Sequence, residues 1–93
     1  MNTRPEYDFK VIGNNLKAMR LANRLTVEEV RDYMQLGTVQ AIYKWERGDG
    51  LPQADTLIAL MELYGENRID RLVKEGSMPS LHYFLQYLRL TLR

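Results

Sequence analysis

The 93-residue chain contains no cysteine and a single histidine, His82. The first absence excludes disulfides, thiolate metal ligation and a cysteine nucleophile, and the second makes a histidine-based zinc site implausible. No apolar run approaches the roughly 20 residues of a membrane span, and the opening stretch MNTRPEYDFKVIG lacks an apolar segment of signal-peptide length. These absences lead us to expect a soluble, cytoplasmic chain with no membrane association. Charge of one sign is also scarce in sum: the formal net charge is only +1. Any argument for nucleic acid must then rest on where the basic residues sit. No strand alternation, internal repeat or low-complexity segment is present, and 93 residues at 45% hydrophobic suit one compact domain with an appendage.

What is present is helical periodicity. Phe9, Ile12, Leu16 and Met19 recur at spacings of three and four behind Asp8, a candidate N-cap, and predict a first helix over 8–22. Gly13 lies inside that helix, where it costs about 1 kcal/mol against alanine and hints at close packing. Thr26 with Glu29 three residues later forms a capping box that opens a second helix, residues 27–34, with Val30 and Met34 on its apolar edge. Gln35-Leu36-Gly37 reads as a tight connection with the positive φ at Gly37, and Thr38 as the cap of a third helix running to about Glu46. Arg47-Gly48-Asp49-Gly50 ends that helix, and Leu51-Pro52 stays extended.

Asp55 is read as the cap of a fourth helix carrying Leu57, Leu60, Met61 and Tyr64, stopped by Gly65. A short fifth helix from 69 to about 74 is expected to bury Ile69, Leu72 and Val73. Gly76-Ser77-Met78-Pro79 is the clearest linker. Beyond it a sixth, amphipathic helix carries Leu81, Phe84, Leu85, Leu88 and Leu92 on one face. Tyr33, Tyr64, Tyr83 and Tyr87 and the five methionines fall mostly at helical spacing and are read as packing; His82 is read as a surface or interface residue. The domain reading is 8–75 for the bundle and 76–93 for linker and C-terminal helix.

Two helices joined by a short turn raise the possibility of a helix-turn-helix, whose second helix enters the DNA major groove. In the third helix Ala41, Ile42 and Trp45 form an apolar strip, while Gln40, Tyr43, Lys44 and Arg47 lie on the other side. Gln40 can address an adenine edge and Lys44 a guanine edge, and Tyr43, Arg47 and Thr38 can reach phosphates. The same face also reads as an ordinary solvated surface. An enzyme is not expected: Asp49 and Asp55, or Glu28 and Glu29, have no histidine or phosphate-cradling loop beside them, and capping accounts for Asp55 and Glu29.

LTVEEVRDYMQLGTVQAIYKWERGDGLPQADTLIALMELYG, preceded by IGNNLKAMR, resembles the phage-repressor and Cro type of helix-turn-helix regulators. The likeness runs from about Ile12 to about Lys74 and lies in the combination of IG, LT, WERG and LP. It implies an all-α, five-helix repressor-like bundle. It implies that Thr38, Val39, Gln40 and Lys44 face base edges, and that Thr26, Val27, Tyr43 and Arg47 lie near phosphates. Arg20 and Glu46 match a structural ion pair between the first and third helices. Two positions depart from the family pattern: Arg31 replaces a small residue, and Gln35 replaces the glycine that opens the turn. One additional residue between Thr26 and Glu46, absorbed near Leu36-Gly37, leaves open whether Thr38 or Val39 enters the groove first.

The expected function is therefore a sequence-specific, DNA-binding transcriptional regulator. It would act without a cofactor as a homodimer on double-stranded DNA, with the stripe Leu81, Phe84, Leu85, Leu88 and Leu92 as dimer or partner contact. The alternative is an antitoxin or adaptor whose C-terminal helix binds another protein.

Overall fold

The computed structural model describes residues 3–75. The expected linker at 76–79 and the sixth helix with Leu81, Phe84, Leu85, Leu88 and Leu92 lie outside the described residues, as do His82, Tyr83 and Tyr87. Within 3–75 the chain forms α1 (Phe9–Ala22), α2 (Val27–Met34), α3 (Gln40–Arg47), α4 (Ala54–Leu63) and α5 (Ile69–Val73), with no strand among the described residues. This is the expected all-α five-helix bundle. No helix among the described residues is long and apolar enough to cross a membrane.

The helices start and stop for local reasons. Asp8 caps α1 by accepting from the Lys10 amide at 2.8 Å. The capping box of α2 is complete: Thr26 Oγ1 accepts from the Glu29 amide at 3.1 Å and Glu29 Oε1 accepts from the Thr26 amide at 3.0 Å. Asp55, expected to cap α4, does not. The helix begins at Ala54 with Gln53 preceding it, and Asp55 sits in the first turn accepting from the Thr56 amide at 2.9 Å. There its negative charge still complements the positive end of the helix dipole.

All of the first four helices end alike, with one amide bonding three residues back and the next bonding five back. After α2 these bonds run from Gln35 to Asp32 (3.2 Å) and from Leu36 to Arg31 (3.0 Å); after α4 they run from Gly65 to Glu62 (3.1 Å) and from Glu66 to Met61 (2.8 Å). The geometry needs a left-handed residue at the turn. Gly48 and Gly65 supply it after α3 and α4, but Arg24 (φ 57°) and Gln35 (φ 58°) supply it after α1 and α2. The positive φ expected at Gly37 is therefore one helix cap earlier, at Gln35, and Gly37 is not left-handed.

The core gathers Ile12, Leu16, Met19, Val27, Val30, Ile42, Leu60, Met61, Tyr64 and Leu72. α1 is central, packing on α3 and on α5, while α2 packs on α3 and α4. Gly13 is where α1 crosses α3: a Cβ there would lie 2.7 Å from the Glu46 carbonyl oxygen and closer still to that of Trp45. Only a residue without a side chain admits that approach. Two side-chain amides, one buried and one half-buried, join the chain's distant parts. Asn15 Nδ2 donates to the carbonyls of Leu72 (2.7 Å) and Lys74 (3.2 Å), and Asn23 Nδ2 donates to those of Met19 (2.8 Å) and Tyr64 (2.9 Å).

Two apolar residues assigned to the core lie outside it. Phe9 is 44% exposed and Ile69 60% exposed. Both line an open groove of about 620 Å³ together with Leu51, Leu57 and Val73. Each stands at the first position of its helix, where half of the neighbouring turn that would cover it is missing.

Candidate nucleic-acid interface

α3 is fixed from below before its outer face can do anything. Ile42 is buried at 1% exposure, Trp45 is half-buried against the core, and Ala41 is half-buried. The last turn is held by an ion pair: Arg20 Nε meets Glu46 Oε2 at 2.7 Å and Arg20 Nη2 meets Glu46 Oε1 at 3.0 Å. The third guanidinium nitrogen, Nη1, donates to the Leu25 carbonyl at 2.9 Å, so the same side chain also ties down the entry to α2. With the side chains only 10% and 7% exposed, the pair is buried. The hydrogen bonds that Arg20 donates to Glu46 hold the Arg20 pKa above its ordinary value against burial, which works the other way. Tyr64 packs within the field of this pair, and burial, with Glu46 adding to it, pushes its phenol pKa up.

The opposite face of α3 is turned to solvent. Gln40, Tyr43, Lys44 and Arg47 are all exposed, at the three- and four-residue spacing of one helical face. Thr38 is exposed beside them, and its Oγ1 accepts from the Gln40 amide at 3.2 Å. The hydroxyl proton remains able to donate outward, because a hydroxyl both accepts and donates. α3 itself begins at Gln40, with Val39 at its entry already in helical conformation and offering no side-chain acceptor.

Two of the expected site residues turn inward. Val39 packs against the core as a partly buried side chain, so on the Thr38 or Val39 question it is Thr38 that faces outward. In the turn before it, Leu36 packs against the core and Gly37 is exposed, with open space around it. Val27 is buried at 6% exposure, which removes its side chain from any surface role. What it can still offer is its amide, which at the first position of α2 has no intrahelical partner. The expectation for both valines came from a pattern of positions and could not register which way each side chain turns.

Thr26, Val27 and Tyr43 come together in an open cleft of about 480 Å³ that also includes Arg24, Leu25 and Glu28. Arg24 is a further basic side chain on this rim, one that the sequence analysis did not single out. Its signal was a cation two residues ahead of a helix N-cap, on a loop that the short connection to α2 forces to the surface. At the far end of α3 the loop 48–50 runs between two lysines. A Cβ on Gly48 would lie 2.7 Å from the Lys10 Cα, and one on Gly50 would lie 2.8 Å from the Lys44 Cε. Between the two glycines, Asp49 Oδ2 accepts from Arg47 Nε at 2.9 Å.

A surface of this kind suits a polyanion with patterned edges: amide and ammonium groups along one helix face, hydroxyls and guanidinium groups at its flanks. No group of three or more metal-ligating side chains occurs among the described residues. A family profile described as helix-turn-helix matches residues 16–72. No curated protein and no solved structure matches the chain.

Proposed function

The chain belongs to the Cro/C1-type helix-turn-helix family and is a DNA-binding transcriptional regulator, and from that premise we propose that it reads a two-fold-related operator as a homodimer through α3. The observation that carries this reading is the division of α3. Ile42 and the Arg20–Glu46 pair clamp its inner side, while Gln40, Tyr43, Lys44 and Arg47 share an exposed outer face. A rigidly held helix with a polar outer face is what insertion into a major groove about 12 Å wide requires.

Gln40 and Lys44 address base edges, Gln40 by pairing its amide with adenine and Lys44 by donating to guanine. Thr38 and Arg47 at the two ends of the helix take phosphates, as do Tyr43 and Thr26 beside the cleft at the start of α2, where the α2 N-terminus favours an anion. Residues 8–75 form the DNA-binding unit. Residues 76–93 supply the self-association that a palindromic site demands, through Leu81, Phe84, Leu85, Leu88 and Leu92.

Selection of bound sequences from random duplex DNA tests this reading. The expected result is an enriched site with two inverted half-sites about one helical turn apart, centre to centre. Failure to enrich any sequence would reject it and favour an adaptor that docks a protein through its C-terminal segment.

A further inference from the structure

Asp49 lies one residue beyond the αL glycine that closes α3, where the partial negative charge of the helix end opposes a carboxylate. It therefore adds nothing to the helix it follows. Its side chain is exposed, and its partner is Arg47, at 2.9 Å. Lys10, whose backbone and Cγ lie against Gly48, and Lys44, whose side chain lies over Gly50, both act on its charge. Three cations of a nearly neutral chain thus surround one acid, at the end of the face assigned to phosphates. The carboxyl is held below its ordinary pKa by the hydrogen bond from Arg47 first and by Lys10 and Lys44 after it, so it is charged whenever the protein would meet DNA.

We propose that Asp49 is an electrostatic mask and a specificity-determining residue. By keeping Arg47 in an ion pair it weakens sequence-independent binding to duplex DNA, and so raises the weight of the base contacts made elsewhere on α3. Non-specific binding consists almost entirely of phosphate contacts, whereas Gln40 and Lys44 do not act through Arg47. An exposed ion pair is weak, so a phosphate held in place by a matched site can displace the carboxylate. The inference rests on α3 being the recognition helix.

The test is equilibrium binding of the full chain to random duplex and to the site enriched by selection, across a salt series. The proteins compared are the wild type, Asp49→Asn, Arg47→Gln and the double variant. Asparagine preserves the shape of the loop, and the Asp49 amide that bonds the Lys44 carbonyl is unaffected. Asp49→Asn is expected to bind random duplex about three- to tenfold tighter at low salt, with the salt dependence steeper by about one ion. In the Arg47→Gln background most of this gain should be lost, leaving the smaller part that acts through Lys10 and Lys44. The mask is overturned if Asp49→Asn leaves random-duplex binding unchanged, or if its gain persists in full without Arg47. Either outcome, with a site still enriched and Arg47→Gln still weakening DNA binding, would leave the recognition-helix assignment standing. No enriched site together with an inert Arg47→Gln would remove that assignment and the mask with it.

Discussion

Glu46 is the residue on which the aim of α3 depends. It is buried in the helix's last turn, both its carboxylate oxygens accept from Arg20, and Arg20 Nη1 donates to the carbonyl of Leu25. Removing one member of such a pair strands the other charge out of water. Glu46→Ala should therefore cost about 3–5 kcal/mol, and Glu46→Gln, which keeps the shape and one acceptor, should cost less. Thermal melting decides between this and a surface pair, which would be worth under about 1 kcal/mol. Tyr64, packed beside the pair, gives the fold a pH signature. Its phenol pKa is raised in the folded state, so its contribution is intact below the ordinary tyrosine value of 10.0 and is lost as pH rises beyond it. Urea unfolding of the wild type should weaken above about pH 10, and Tyr64→Phe should flatten that decline.

At the scale of elements the account turns on how helices end. Gln35 holds a left-handed conformation that costs a side-chain-bearing residue about 1–2 kcal/mol, partly offset when glycine replaces it because glycine gains freedom in the unfolded chain. Gln35→Gly should then stabilise the protein by about 0.5 kcal/mol. Gly37→Ala, where nothing lies within 4 Å of the new methyl and φ is not positive, should also be neutral or stabilising. A Gly37→Ala that destabilises strongly would move the turn back to the position its composition suggests.

Helix starts and extents were legible because they rest on local chemistry: Asp8, the Thr26 and Glu29 box, and the three-four spacing all act within one turn. The left-handed ends at Arg24 and Gln35 were not, because tertiary packing imposes them on residues with no intrinsic preference for that region. Asp55 was misread for a related reason, since an acid suits both the cap and the first turn. The Asn15 and Asn23 bonds were invisible, for they join residues 41 and 57 or more positions apart.

For the whole molecule the central fact is that a net charge of +1 still leaves a local basic face on α3 and its flanks. Most of that face could be read in advance, since Gln40, Tyr43, Lys44 and Arg47 sort by helical period alone. The inward turns of Val27 and Val39 depend on how neighbouring segments fold back, the pairing of Arg47 with Asp49 depends on the local turn at Gly48, and neither has a periodic signal. On the proposed reading the molecule works as two copies, so the intact chain should sediment at the mass of two and a chain ending at residue 76 at the mass of one. A truncated chain that remains dimeric would shift self-association from the leucine stripe to the bundle.

The most direct measurement compares affinity for the enriched site with affinity for random duplex in Gln40→Ala, Lys44→Ala and the pair together. Each matched base contact carries discrimination of about 1–3 kcal/mol. Each single variant should therefore lose about five- to 150-fold of the preference at an unchanged melting temperature. A double variant that folds, binds DNA and keeps the wild-type preference would contradict the assignment of this face of α3 to base recognition.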